Sequence, residues 1–487
     1  MQESERINHI MSKQKKNCQI PTPVEYVKVM LDNIGYTQNI YGKKVLENSC
    51  GEGNILIEIV KRFIADGRQQ NRLPDEIACE LASDIIGYEI DAVKLEICKQ
   101  RLNELLIIEQ IPPVDWNIKN KDFLKSQEMV DFIIGNPPYI TYHDLTKEER
   151  EFVQEKFEVC KNGRIDYCYA FIEASIESLN SNGKMIYLVP YSIFRNKFAK
   201  QLRCYLQKYI TGIWDYRGIS VFQDIICSTV VILCEKPAVN THILYKDMLN
   251  SVENQLDRNE LSSLKGEKWI FQKNTSGKRR FGDFFEIYNS VATLCNKAFL
   301  IEVNEELEQY YRIEDELIEK EITYPAVSTK NFRKRKRKGV IEERIIFPYR
   351  LEGDIVFRYE EQTFQTQYPN AYRHLKLFKN KLDKRKADKN ASWYEYGRSQ
   401  ALEKLWGEKL VIPMVITKKA TAFKVAADAI PFAGYFIKAK VGSTLTLVDA
   451  KKIIESQEFY QYVQDVGTPT AKTSYRVSVF DIADYEF

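Results

Sequence analysis

The stretch Val130-Asp131-Phe132-Ile133-Ile134-Gly135-Asn136-Pro137-Pro138-Tyr139 runs an apolar segment into two consecutive prolines. Phe132, Ile133 and Ile134 read as a short buried strand. Proline has no N–H to give to a ladder, so the strand must stop at about Asn136. Its carboxyl end is then a stiff tip carrying an amide, proline carbonyls and an aromatic ring. In an open α/β sheet that edge is where ligands bind. An exocyclic amine conjugated to a ring is a poor nucleophile, because its lone pair is delocalised. If the Asn136 side-chain oxygen and the Pro137 carbonyl accept its N–H bonds, the nitrogen is drawn toward tetrahedral geometry. The charge developing on it is stabilised at the same time. Tyr139 is expected to stack on the ring. The same four residues also suit an ordinary β-turn after a strand, and the surrounding chain has to decide between the two.

Composition sets the bounds. The 487 residues call for two or three domains, and 44% hydrophobic with 29% charged residues describes a globular protein with ample core. No apolar run reaches membrane-spanning length. The opening residues, with Glu3, Glu5 and Arg6, lack the apolar block of a secretory signal. Ten scattered cysteines form no Cys-x-x-Cys pair, so neither a zinc site nor a disulfide framework is indicated. Reduced thiols and a cytoplasmic location are expected. With four histidines, none adjacent to another, no metal is expected. A net charge of +3 means that any nucleic-acid partner must show itself in local patches.

Read in order, the chain repeats one pattern. Thr22 before Pro23 suits a helix start, with threonine as cap and proline in the first turn. The segment Lys44 to Ile57 reads as a strand ending in Glu47, then a turn through Asn48, Ser49, Cys50, Gly51, Glu52 and Gly53, then a helix. Glycines there permit tight turning and close approach of backbone to ligand. A second strand, Asp84 to Tyr88, ends in Glu89, where a carboxylate can accept both ribose hydroxyls. Ile90 beside it is suited to cover one face of an adenine. Glu89 would equally suit the dipole at the start of the next helix. A third strand near Trp116 to Lys119 leads to Asp122 and Phe123. Strands alternating with helices imply a doubly wound parallel sheet. Acids at successive strand ends would repel a diphosphate, so the ligand expected is a nucleoside such as S-adenosylmethionine.

This ordered set resembles the gamma-class, TaqI-like adenine-N6 DNA methyltransferases of bacterial restriction–modification systems. The resemblance implies a Rossmann-like S-adenosylmethionine-dependent methyltransferase domain over residues 1–240. A linker region over 241–284 and a mixed α+β target-recognition domain over 285–487 would follow. It places Thr22 and Pro23 against the methionine part of the cofactor. Glu47, Ser49, Cys50, Gly51 and Gly53 fall in its glycine turn, Glu89 and Ile90 at its ribose and adenine, and Asp122 and Phe123 at its adenine. Asn136, Pro137, Pro138 and Tyr139 become the catalytic tip, and Phe222 a second ring for stacking on an extruded base, though Phe222 is also a reasonable core aromatic. The chain departs from the pattern at Asn48-Ser49, where Pro-Ala is usual, and at Glu52, where a small residue is common.

The same resemblance implies double-stranded DNA as partner. It also points to a separate restriction endonuclease for any cleavage, since no nuclease motif is evident and little chain precedes Thr22. The basic run Arg333, Lys334, Arg335, Lys336, Arg337 and Lys338 is expected on DNA phosphates, although such a run is more often a solvated face. Two alternatives stay open: an RNA or protein-glutamine N-methyltransferase, whose target nitrogen poses the same electronic problem, and a non-catalytic DNA-binding relative. The large C-terminal portion favours DNA.

Overall fold

A computed structural model describes residues 21–487 except 218, 220, 223–227, 239, 264–265, 270, 272–278, 331–339, 341, 354, 400 and 472. The chain divides into two compact units, Met1–Phe271 and Gln272–Phe487. Among the described residues no helix is long and apolar enough to cross a membrane.

The first unit is built on a nine-stranded sheet. Its strands in chain order are β1 (Val45–Glu47), β2 (Ile85–Tyr88), β3 (Asn117–Lys119), β4 (Val130–Gly135), β5 (Leu179–Pro190), β6 (Ile210–Asp215), β7 (Thr229–Lys236), β8 (His242–Asp247) and β9 (Val252–Asp257). In space they run β3-β2-β1-β4-β5-β7-β6-β8-β9. β1 pairs in parallel with both β2 and β4, with Val45 opposite Ile85 on one side and Phe132 on the other. β7 is antiparallel to both its neighbours. Every residue of β1 and β2 is buried, as expected of strands covered on both faces by helices. Strand order reverses between β1 and β4, and that switch opens a crevice at their carboxyl ends.

The helices that flank the crevice are fixed by local chemistry. α1 (Val24–Ile34) turns its buried Val27, Met30, Leu31 and Ile34 to the core and stops at Gly35, whose φ of 79° is left-handed. α2 (Asn54–Gln69) follows Gly53, and α3 (Pro74–Asp84) ends where β2 begins. α4 (Ala92–Ile108) is capped by Asp91, which accepts from the amides of Val93 at 3.0 Å and Lys94 at 3.3 Å. α5 (Lys147–Lys156) begins with a Thr146–Glu149 capping box, and α6 (Tyr167–Glu177) begins with Asp166 accepting from the Cys168 amide.

Two expectations are corrected. The cap of α1 is Pro23, whose backbone is extended at φ −63°, ψ 144°. Thr22 lies one residue further out, with its side chain buried. Residues 242–257 are no linker: they form β8 and β9 at the sheet's edge, because Ile243 and Tyr245 are buried on one face while the more exposed His242, Leu244 and Lys246 alternate with them. The boundary between the units, after Phe271, falls inside the expected linker.

The second unit is α+β. Its two four-stranded sheets, with smaller sheets and short helices, surround two apolar clusters rich in aromatics. Trp393 packs here: its indole N–H donates to Glu361 at 2.9 Å, and Lys379 lies over its ring.

Asp84, at the end of α3, is buried, and burial followed by the nearby Glu80 charge pushes its carboxyl up to about 6. An open-chain aspartate titrates near about 4. The fold therefore keeps this contribution in full below that pH and loses it as pH rises through 6. Asp84→Asn should raise the melting temperature at pH 8 by about 2–4 °C, with a smaller gain at pH 5. Calorimetry at both pH values checks this; a lower melting point at pH 8 would refute it.

Candidate functional site

The crevice at the strand ends holds a cavity of about 340 Å³. Thr22, Glu47, Ser49, Cys50, Gly51, Glu89, Ile90, Asp122, Phe123, Asn136 and Pro138 all line it, so residues from five separate segments meet at one place. Pro23, Gly53, Pro137, Tyr139 and Phe222 are absent from its wall.

Glu89 organises the turn. Its Oε2 accepts the Gly51 amide at 2.9 Å and its Oε1 accepts the Asp91 amide at 2.8 Å. The backbone N–H of Glu89 donates to the Lys119 carbonyl, and that of Cys50 to the Tyr88 carbonyl. The end of β2 thus grips both the turn after β1 and the end of β3. A carboxylate oxygen has two lone pairs, so each oxygen of Glu89 keeps capacity for a further donor. Glu47 accepts the Leu56 amide at 3.1 Å and anchors the first turn of α2. Burial, foremost, pushes its carboxyl well above the usual range. Gly53 shapes the turn rather than its wall. Its φ is +85°, and a Cβ there would stand 2.6 Å from Cys98 Sγ.

At the other wall, Asp122 accepts the Leu124 amide at 3.0 Å, and Phe123 sits among Tyr88 and Phe171. Ile90, 66% exposed, offers an apolar surface to the cavity. The Asn136 carbonyl accepts the Ser49 hydroxyl at 3.2 Å.

Tyr139 and Phe222 lie elsewhere than expected. The Tyr139 hydroxyl donates to the Leu188 carbonyl at 2.9 Å, which holds the ring in the core. Phe222 is 2% exposed in the same core, with Trp214 and Tyr216. Residues 333–338 lie outside the described residues. Conversely, Asn48, Lys94, Lys121, Ile140, Glu149, Tyr167 and Phe171 line the cavity without having been anticipated. Tyr167 and Phe171 are four apart on α6 and hence share one of its faces. Local sequence does not show which face of that helix meets the strand ends.

Comparison with known proteins finds similarity over part of the chain. Residues 54–222 match the family model of the Eco57I restriction-modification methylases. Over that part of its length the chain is similar to restriction–modification methyltransferases. It is 27% identical over 313 residues to the type II restriction enzyme and methyltransferase RM.Eco57I of Escherichia coli, a match covering 56% of this chain and 31% of that protein. It is 28% identical over 207 residues to the type II methyltransferase M.BstVI of Geobacillus stearothermophilus, covering 40% of this chain and 36% of that one. The chain thus spans about a third of the length of these curated relatives. Among solved structures, the type IIL restriction-modification enzyme MmeI in complex with DNA superposes with a TM-score of 0.56 at 12% identity, over 95% of this chain and 66% of that one. That likeness is one of fold.

The cavity suits S-adenosylmethionine as a ligand. Glu52, Glu89, Asp122 and Glu149, with the buried Glu47 whose carboxyl is pushed toward its neutral form, face two lysines (Lys94 and Lys121) around the wall. That balance suits a cationic nucleoside and disfavours a diphosphate. Ile90 and Phe123 supply apolar surface for a purine. Glu89→Gln keeps the shape but exchanges charge-assisted bonds, each worth about 1.5–3 kcal/mol, for weaker ones. Cofactor affinity measured by calorimetry should fall about 10- to 100-fold; unchanged affinity would remove Glu89 from the cofactor's binding.

Proposed function

We propose that this chain transfers a methyl group to the N6 of adenine in duplex DNA. The observation that supports this best is that Asn136 lines the same cavity as Glu89. An amine brought to the Asn136 end of the cavity is therefore close to whatever the Glu89 end holds.

S-adenosylmethionine supplies an electrophilic methyl on a sulfonium. The protein's own task is to present the amine. The Asn136 side-chain oxygen and the Pro137 carbonyl accept the two N–H bonds of the target nitrogen and localise its lone pair for in-line attack. The nitrogen's proton becomes acidic only as the methyl arrives, so no strong base is needed. Much of the acceleration comes from positioning. The two consecutive prolines help, because Pro137 and Pro138 fix the backbone next to Asn136. In a duplex the adenine must first leave the stack, at a cost of roughly a few kcal/mol. Tyr139 and Phe222 are buried in the core in this structure, so stacking on the extruded base is not assigned to them.

The second unit is proposed to recognise the DNA sequence, and the system's cleavage activity is assigned to a separate endonuclease. Asn136→Ala should lose methyl transfer by about 100-fold or more while binding S-adenosylmethionine as wild type does. Radiolabelled cofactor offered with duplex DNA, RNA or a release factor gives the companion test. Labelling of DNA alone is expected. Labelling of RNA or protein instead, or near-normal turnover by a folded Asn136→Ala variant, would overturn the reading.

A further inference from the structure

The turn after β1 carries two polar side chains, Asn48 and Ser49, that reach toward the next strand. The Ser49 hydroxyl donates to the Asn136 carbonyl at 3.2 Å. Asn48 is buried, and its Nδ2 donates to the Ser175 hydroxyl at 2.8 Å and to the Tyr187 hydroxyl. Ser175 and Tyr187 share a further hydrogen bond of 2.6 Å, so three side chains from β1's turn, α6 and β5 close one buried polar ring. The Tyr187 ring lies against Gly135, the residue before Asn136. A Cβ at Gly135 would stand 2.9 Å from Tyr187 Cε1 and 3.5 Å from Asn48 Oδ1.

Asn136 is therefore held from two sides. Its carbonyl is tied directly to Ser49, and its predecessor is packed against a tyrosine that Asn48 and Ser175 fix in place. The backbone amides of the two residues that follow this pair serve a different end: the Cys50 amide donates to the Tyr88 carbonyl and the Gly51 amide to Glu89. Within one turn, the backbone of Cys50 and Gly51 faces the β2 end of the cavity, while the side chains of Asn48 and Ser49 face the Asn136 tip.

We propose that Asn48 and Ser49 are positioning residues for Asn136, tying the tip that receives the amine to the turn that receives the cofactor. This rests on the role given to Asn136 above. A hydrogen bond to a neutral carbonyl contributes modestly to stability, whereas a small misplacement of a reacting group costs much more in rate. The consequence sits in turnover rather than in affinity.

Ser49→Ala should lower kcat about five- to tenfold and leave S-adenosylmethionine affinity within about twofold. Ser49→Thr, which keeps a hydroxyl, should recover most of the rate. Tyr187→Phe, which keeps the ring and removes the hydroxyl that Asn48 and Ser175 share, should lower kcat in the same way. Hydrogen exchange on the cofactor-free protein supplies a readout that needs no activity: Ser49→Ala should speed exchange in the peptide containing Gly135 and Asn136. Cofactor affinity falling in step with kcat would make Ser49 a cofactor contact and overturn the proposal. So would unchanged exchange at that peptide. If the wild-type chain methylates no DNA, the reading of function fails, and the exchange result still decides whether Ser49 holds the tip.

Discussion

Glu89 is the pin of this site. One carboxylate at the end of β2 accepts an amide from the turn after β1 and another from the start of α4. Hydrogen bonds to an ionised group are among the stronger ones, and here they add to the β1–β2 ladder and to the bond from the Cys50 amide to the Tyr88 carbonyl. Without them the glycine turn would be held to the end of β2 by that backbone bond alone. The cavity would then lose the wall on which its ligand depends. The reversal of strand order between β1 and β4 opens the crevice, and Glu89 gives it a definite shape.

The division of labour across the crevice follows from electrostatics. Acids collect toward the β1 and β2 ends and favour a cationic nucleoside. The Asn136 tip, with two prolines behind it, offers neutral acceptors to an amine. The match to restriction–modification methylases falls on residues 54–222, which include Glu89, Asp122 and the Asn136 tip and begin just after the glycine turn.

Much of this was legible in the sequence because each strand end announces itself. Glu47, Glu89 and Asp122 follow apolar runs, and the double proline after Asn136 cannot continue a strand. Residues whose role depends on packing direction were not legible. Tyr139 follows the tip directly, yet its hydroxyl finds the Leu188 carbonyl and the ring turns into the core. Phe222 is likewise a core aromatic. Tyr167 and Phe171 reach the cavity because of how α6 rolls against the sheet, which no local pattern records. Strands β8 and β9 were missed because β9 is largely exposed; a strand with one polar face at a sheet's edge has the composition of a linker. Asn48 stood out as a departure from the usual turn, but its partners Ser175 and Tyr187 lie far along the chain.

The central claim is that an amine of adenine meets the methyl donor at Asn136. The most direct measurement is mass spectrometry of the nucleosides in DNA from cells that express this chain, set against cells that carry Asn136→Ala. The account predicts N6-methyladenine in the first and none above background in the second. Methylcytosine in place of N6-methyladenine, or the same N6-methyladenine in both, would contradict it.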